Sequence, residues 1–207
     1  MNREPRRATC ADLPALLFAG SLQRDSCAAI MWLHGIGERG NEPILVAKYG
    51  LPAALAAGRA SASCDVICPQ LPPNEEWEPD RVLSLVRYAR ATYSKVILIG
   101  FSLAGLGALN LVAQHGAACD LAIAIAAECR HWPTADQSGV RLVAVQGEHD
   151  YRPEVSNFVE LVCQSGGTAE EVVVKGGDHF ISESALWQPE LQVALSAQSV
   201  LLRQHEA

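Results

Sequence analysis

The feature that most constrains the fold is an apolar run over residues 96–113, which contains only apolar residues, glycines, Ser102 and one asparagine. The run is long enough for a membrane span, but its two halves differ in composition. Residues 96–99 are rich in β-branched side chains, whereas residues 103–114 are mainly helix formers. The sequence therefore predicts a buried strand that turns at residues 100–102 into a packed helix, and no integral membrane span.

Short apolar segments recur along the rest of the chain and predict the strands of a central sheet. Most of them are apolar at successive positions, which is the pattern of parallel strands covered on both faces. Residues 15–18 are a further candidate, for an antiparallel first strand. The six predicted strands cover residues 28–33, 65–68, 95–101, 121–127, 141–146 and 171–174.

Amphipathic helices are predicted between these strands, because apolar residues recur at i, i+3, i+4 and i+7 after Pro79 and again after Pro153. A last helix is predicted over residues 189–203. Strands that alternate with helices imply a three-layer α/β/α sandwich with a mostly parallel central sheet. The length of 207 residues and the hydrophobic content of 49% favour a single domain, residues 1–207.

Composition argues against several classes of function. The formal net charge of −7 and the absence of a long basic run argue against nucleic acid and against an anionic membrane surface, so a small molecule is the expected partner. The N-terminus lacks the pattern of a secretory signal. The seven cysteines are scattered without C-x-x-C spacing, so we expect reduced thiols, a cytoplasmic location and no metal site.

Residues 100–105, Gly-Phe-Ser-Leu-Ala-Gly, follow a predicted strand and open a predicted helix, which is the context of a nucleophile elbow. Such a turn holds the serine backbone in an unfavourable conformation and brings strand and helix close together, so small neighbours are required. The pattern predicts Ser102 as a nucleophile. The competing interpretation is an ordinary strand-to-helix turn in which Ser102 only caps the helix.

A glycine-rich segment, His-Gly-Ile-Gly at residues 34–37, follows the predicted strand 28–33 and lies at the same edge of the sheet. Acyl transfer develops a negative oxygen that exposed backbone N–H groups can hold, one from the residue after the serine and one from such an early loop. We therefore predict an oxyanion hole formed by Leu103 and Ile36. The His34 side chain is expected to pack in the interior without a role in proton transfer.

A carboxylate and a histidine follow two later strands. Asp150 comes just after residues 141–146 and is the predicted acid that orients the base. Glu128, just past another strand, is the competing acid. His179 follows the last strand and is the predicted general base, since an imidazole can take and return a proton near neutral pH. The order Ser102, Asp150, His179, with each member just past a strand, predicts a catalytic triad.

Aromatic residues near these positions are candidates for a substrate pocket. Trp77 and Trp132 lie in loops expected at the carboxyl edge of the sheet. The alternative for both is that they only cover the edge of the core. Phe101 and Phe180 flank catalytic positions and are candidates for the same pocket.

These motifs together resemble the α/β-hydrolase superfamily, in its phospholipase/carboxylesterase and dienelactone-hydrolase branch, and the resemblance covers most of the chain. Residues 33–41 are similar to the L-H-G-x-G-E-R-G-N signature of short esterases and peptidases in that branch. The chain departs from the branch at Ala104, where the second glycine of G-x-S-x-G is usual, and it has no long insertion that would form a large lid. The other matching motifs are Cys68-Pro69-Gln70 with Trp77, Gly147-x-x-Asp150 and Gly177-Asp178-His179.

The resemblance implies a serine hydrolase that cleaves a small carboxylic ester or thioester through an acyl-enzyme, with no metal or organic cofactor. We expect a monomer or homodimer. An acyl-protein thioesterase or a peptidase of the same fold is the alternative within the enzyme class. A ligand-binding protein that keeps the hydrolase scaffold without turnover is the alternative outside it. A panel of ester, thioester and amide substrates separates the esterase from the acyl-protein thioesterase and the peptidase. A test for an acyl-enzyme separates all of these enzymes from the ligand-binding protein.

Overall fold

The computed structural model describes residues 4–20 and 27–205. Strands and helices alternate through most of this part of the chain, as the apolar segments predict. The strands are β1 (Arg6–Cys10), β2 (Leu13–Phe18), β3 (Ala28–Leu33), β4 (Ala60–Ala62), β5 (Asp65–Pro69), β6 (Lys95–Phe101), β7 (Leu121–Ile125), β8 (Arg141–Gly147), β9 (Thr168–Val174) and β10 (Leu202–Gln204). The helices are α1 (Gly50–Ala56), α2 (Pro79–Arg90), α3 (Leu103–His115), α4 (Pro153–Gln164) and α5 (Pro189–Ala197).

The central sheet has the strand order β1-β2-β5-β3-β6-β7-β8-β9 within the described residues. The six strands from β5 to β9 in that order pair in parallel, whereas β1 and β2 join the edge in antiparallel register. Because parallel strands end at the same edge of the sheet, the loops after β3, β6, β7, β8 and β9 meet there. This edge carries every residue of the predicted triad.

Two apolar cores cover the two faces of the sheet and explain why its strands are apolar at successive positions. In β3, Ala29, Met31 and Leu33 face one core and the alternate residues face the other. Helices α2, α3 and α4 pack on the first core, and α1 and α5 pack on the second. The three-layer α/β/α architecture is therefore confirmed, with a mostly parallel central sheet.

The apolar run at residues 96–113 divides as predicted into β6 and α3, and Ser102 lies at the junction. No helix in the described part of the chain has both the length and the apolar character needed to cross a membrane. Pro79 and Pro153 each occupy the first turn of a helix, where the missing N–H has no intrahelical partner to lose. The predicted antiparallel strand at 15–18 is confirmed as part of β2.

The prediction of a helix over residues 189–203 is wrong at its C-terminal end. Helix α5 stops at Ala197, and Ser199 adopts a left-handed φ of 63° that no helix continues. The chain then forms β10, which pairs in antiparallel register with β4 and buries Leu202 in the second core. Leu201, which lies within the predicted helix, is 45% exposed.

Candidate active site

Ser102 occupies a strained turn between β6 and α3. Its φ of 55° and ψ of −112° lie outside the regions that a non-glycine residue adopts readily. Glycines make this turn possible, because a Cβ at Gly100 would overlap the Ala104 carbonyl oxygen and one at Gly105 would lie 2.8 Å from the Ile125 oxygen. The Ser102 side chain does not cap α3. The turn instead holds the hydroxyl at the carboxyl edge of the sheet.

Ala104, the departure from the family pattern, is fully buried and packs in the first apolar core beneath the serine. Its methyl group replaces the hydrogen of the usual glycine on the helix side of the turn. The structure thus accommodates alanine in this position while Ser102 keeps its strained backbone conformation.

The three residues of the predicted triad form one hydrogen-bonded chain. Ser102 Oγ lies 2.8 Å from His179 Nε2, and His179 Nδ1 lies 2.6 Å from Asp150 Oδ2. A carboxylate can only accept, so Nδ1 carries the ring proton and Nε2 is left to accept the serine hydroxyl. This is the arrangement in which the imidazole can remove the serine proton.

Close contact between two loops brings Asp150 to His179. The His149 N–H donates to the Gly177 carbonyl at 2.8 Å, and a Cβ at Gly147 would overlap the Asp178 oxygen. The end of β8 and the loop after β9 therefore pack backbone against backbone.

The competing acid, Glu128, has other partners. Its carboxylate pairs with Arg130 at 2.9 Å and with Arg152 at 3.5 Å. The His179 ring bonds to Asp150, so of the two acids weighed from the sequence only Asp150 has the geometry of the third triad member.

The two predicted oxyanion donors lie at the first residues of helical turns that face Ser102. Leu103 begins α3 and Ile36 begins a 3₁₀ turn, Ile36–Glu38, so neither N–H has an intrahelical carbonyl to bond. The loop before Ile36 packs against Ser102, since a Cβ at Gly35 would lie 3.5 Å from Ser102 Cβ. Both backbones thus border the place where a substrate carbonyl would meet the serine.

Four side-chain hydrogen bonds fix this loop from behind. The Gly35 N–H donates to Glu38 Oε2 at 3.0 Å, and Gln70 Nε2 donates to the Glu38 carbonyl at 2.9 Å. Trp77 Nε1 donates to the His34 carbonyl at 2.9 Å, and the Leu71 N–H donates to His34 Nε2 at 3.0 Å. The loop that carries Ile36 is therefore attached to the segment after β5.

Burial controls the ionisation of the two titratable groups in this loop. Burial lowers the pKa of His34 to about 4, although its bond to the Gly35 carbonyl acts in the opposite direction. The neutral ring therefore donates from Nδ1 and accepts at Nε2, which confirms the predicted interior role. Burial raises the pKa of Glu38 to about 8, against the opposing effects of the Gly35 N–H and Lys48.

A cavity of about 330 Å³ opens directly over the triad. Its volume is at the lower end of the roughly 300–1,000 Å³ typical of small-molecule sites. The walls combine apolar side chains with two opposite charge pairs. The lining residues are Ile36, Ser102, Leu103, Leu106, Ala126, Glu128, Arg130, Asp150, Arg152 and His179.

Comparison with solved structures gives the same architecture. A thermostable esterase superposes with a TM-score of 0.67 at 19% identity over 94% of this chain, which spans 62% of that protein's length. A carboxylesterase from Mesorhizobium loti has a TM-score of 0.63 at 17% identity, over 95% of this chain and 98% of that one. An alpha-beta serine hydrolase homologue from Coxiella burnetii has a TM-score of 0.60 at 14% identity, over 95% and 98%.

The chain has the α/β-hydrolase fold. No family model matches the chain, and no curated protein matches it in sequence. The likeness is therefore one of three-dimensional structure at identities of 14–19%.

The four aromatic residues predicted for the pocket are not among the residues that line this cavity. Trp77 is 2% exposed, because it packs against Gly107 through its Cβ and backbone and its indole N–H donates to the His34 carbonyl. It supports the core edge, which is the alternative that the sequence left open. Phe101 is also buried, since it ends a central strand, and its ring centroid lies 5.7 Å from that of His179.

The other two aromatic residues are exposed. Trp132 is 48% exposed in the loop after β7, beyond the charged residues that line the cavity. Phe180 is 72% exposed and meets the His179 ring edge to face, with centroids 5.7 Å apart. Phe180 therefore covers the outer side of the His179 ring instead of forming a pocket wall.

The seven cysteines are free, and none is a competing nucleophile in the cavity. Burial raises the pKa of Cys10, Cys64 and Cys119 to about 12 and that of Cys129 to about 11. A thiol with such a pKa stays protonated at neutral pH and reacts slowly. Four of the seven cysteines are buried, namely Cys10, Cys64, Cys68 and Cys119.

The sequence did not reveal the arginines that line the cavity, or the residues whose hydrogen bonds hold the loop that carries Ile36. Arg130 and Arg152 follow the same strands as Glu128 and Asp150, so their position past a strand end was a usable signal. Glu38 lies in the recognised signature, but its burial comes from packing against the segment after β5, which a local pattern does not reveal.

Proposed function

We propose that this chain hydrolyses small carboxylic esters or thioesters through an acyl-enzyme on Ser102. The observation that carries the proposal is the hydrogen-bonded chain from Ser102 through His179 to Asp150, which opens into a cavity of about 330 Å³. Esterases among the structural neighbours share the fold and support the same class of reaction. The cavity volume favours a short acyl group.

In the proposed reaction, Ser102 Oγ attacks the substrate carbonyl while His179 Nε2 accepts its proton. The negative oxygen of the tetrahedral intermediate is held by the N–H groups of Leu103 and Ile36. His179 then gives the proton to the leaving alcohol or thiol, and the acyl-enzyme forms. A water molecule then attacks the acyl-enzyme while His179 accepts its proton, and His179 returns that proton to Ser102 Oγ as the carboxylic acid leaves. Asp150 stabilises the imidazolium of His179 during both acylation and deacylation.

The test is covalent labelling with a fluorophosphonate, followed by peptide mass spectrometry. We expect one adduct, on Ser102, which is absent in Ser102→Ala and strongly slowed in His179→Ala. The matched control is Ser84→Ala, which removes an exposed hydroxyl on α2 that bonds only to the Asp80 carbonyl. Folded protein that takes up no label would favour the non-catalytic scaffold.

The acyl-protein thioesterase and peptidase alternatives share the same triad and are separated by their leaving groups. p-Nitrophenyl acetate and longer p-nitrophenyl esters, an acyl thioester and a peptide amide form the panel. We expect acetate and butyrate esters to exceed long-chain esters in kcat/KM because the cavity is small. Faster turnover of the amide than of the short esters would replace the esterase assignment with a peptidase.

A further inference from the structure

Asp150 binds a second partner on the side away from the general base. Its Oδ2 accepts from His179, and its Oδ1 accepts from Arg152 Nη2 at 2.9 Å. The other terminal nitrogen of Arg152 lies 3.5 Å from Glu128 Oε1. The opposite oxygen of Glu128 accepts from Arg130 at 2.9 Å. Four alternating charges therefore run along the cavity wall and end on the triad.

The backbone of Arg152 is fixed independently of these charges. Its N–H donates to Gln146 Oε1 at 2.6 Å, and its carbonyl accepts from Gln146 Nε2 at 3.4 Å. Gln146 is itself buried at the end of β8 and bonds to Glu171. Arg152 is therefore held where its guanidinium reaches both carboxylates.

The guanidinium is partly shielded from solvent. About two thirds of the Arg152 side chain is covered, and its Nε is buried without a hydrogen-bond partner in the described residues. The Asp150 side chain is 16% exposed. Charges separated by 2.9 Å in such a place interact more strongly than an exposed surface pair, because solvent screens them less.

We propose that Arg152 is a positioning residue of the triad and that Glu128 sets how strongly it acts. This inference rests on the proposed function. The guanidinium holds the rotation of the Asp150 carboxylate and offsets part of its negative charge, so the carboxylate attracts a protonated His179 ring less strongly. Glu128 competes for the same guanidinium and restores part of that attraction.

The other charged groups near His179 have partners of their own. Asp178 accepts the Phe180 N–H at 2.7 Å, and Glu148 accepts the Gly176 N–H at 2.7 Å. His149 is exposed, and its backbone N–H bonds to Gly177. Arg130 reaches the triad only through Glu128. The link through Arg152 is thus the direct route by which the cavity charges act on Asp150.

The experiment follows the protonation of the His179 ring by NMR in the full-length protein, with its resonance assigned by its loss in His179→Asn. In Arg152→Gln the midpoint of the titration is expected to rise by about 0.5 pH unit, because the Asp150 charge is no longer offset. In Glu128→Gln it is expected to fall by a smaller amount, because Arg152 then acts fully on Asp150. Arg152→Lys, which keeps the charge, is expected to restore most of the wild-type midpoint.

The matched control is Arg59→Gln, which removes an arginine paired with Glu183 at 2.7 Å on an exposed part of the chain, and it is expected to leave the midpoint unchanged. A purely structural role for Arg152 predicts no shift, or shifts of one sign in both variants, and either result overturns the inference. Shifts of opposite sign support it. The titration needs no turnover, so it gives an answer even if fluorophosphonate labelling of Ser102 fails and the proposed function is wrong.

Discussion

Two loops at the same edge of the sheet each carry a carboxyl group near the cavity, and the surroundings of the two groups differ. Asp150, after β8, has one oxygen bonded to a guanidinium and the other to an imidazole. Glu38, after β3, is 1% exposed and accepts one backbone N–H, while its second oxygen is buried and has no hydrogen-bond partner among the residues that the structure describes. No ion pair reaches Glu38 within the described residues.

The difference shows that the surroundings of a carboxyl group decide whether it acts as a negative charge or as a neutral hydrogen-bonding group. A carboxylate that meets a cation can act as a charge, which is what stabilisation of an imidazolium requires. A carboxyl group in an apolar interior favours its proton, and the raised pKa of Glu38 follows from that burial. Glu38 is therefore suited to hold backbone geometry, and Asp150 to interact with a developing positive charge.

The largest expected effect comes from Asp150→Asn. The amide keeps the shape of the side chain but cannot supply the negative charge, and it can favour the wrong tautomer of His179. We expect kcat for a short p-nitrophenyl ester to fall by about 10⁴-fold at neutral pH. Steady-state kinetics and the rate of fluorophosphonate labelling measure the loss.

The control for that change is Asp178→Asn, an adjacent acid that bonds to the Phe180 N–H and not to the ring. The expected loss in kcat is less than about tenfold, since the Asp150 carboxylate that bonds to the His179 ring keeps its charge. Equal losses in the two variants would mean that the loop, and not the charge of Asp150, carries the effect.

The same acid-to-amide change at Glu38 is expected to act on stability and its pH dependence. The pKa of this group is about 8 in the folded chain against 4.5 as its ordinary value, so the folded state keeps a proton that the unfolded state releases. The wild type therefore loses stability as pH rises from about 4.5 to about 8. Glu38→Gln does not titrate and escapes this loss.

Urea unfolding at pH 5 and pH 8.5 measures this difference. Relative to the wild type, Glu38→Gln should gain a few kcal/mol in unfolding free energy between the two pH values. Glu190→Gln, an exposed acid in the first turn of α5, is expected to show no such gain. A pH-independent difference between Glu38→Gln and the wild type would show that Glu38 is ionised in the folded chain throughout this range.

The order of apolar segments predicts the edge at which a loop lies, and this is why the sequence could place the three candidate triad residues near one another. Ser102, Asp150 and His179 each follow a strand of one parallel sheet, and parallel strands end together. The same signal placed Glu128 correctly at the edge but could not choose between the two acids. That choice depends on which carboxylate the loop after β9 approaches.

The burial of individual side chains and the pairing of strands far apart in the chain could not be predicted in this way. Trp77 lies in the loop after β5, yet it is buried against Gly107 and its indole N–H donates to the His34 carbonyl. Leu202 continues an apolar pattern near a helix, yet it is buried by pairing with β4, about 140 residues earlier. Both outcomes depend on contacts between segments far apart in the chain, which local spacing does not contain.

The smallest expected effect is that of Trp77→Phe, which tests whether Trp77 supports the loop that carries Ile36 or forms a wall of the pocket. Phenylalanine keeps most of the ring packing but removes the indole N–H that bonds to the His34 carbonyl. We expect a loss of about 1–2 kcal/mol in unfolding free energy, because that buried carbonyl loses its donor. Through the loop that carries Ile36, kcat is expected to fall a few-fold while KM for acetate and butyrate esters stays within about twofold. If Trp77 instead formed a pocket wall, KM would change with the length of the acyl chain and kcat would not, so the two esters measured side by side decide between the loop-support and pocket-wall roles.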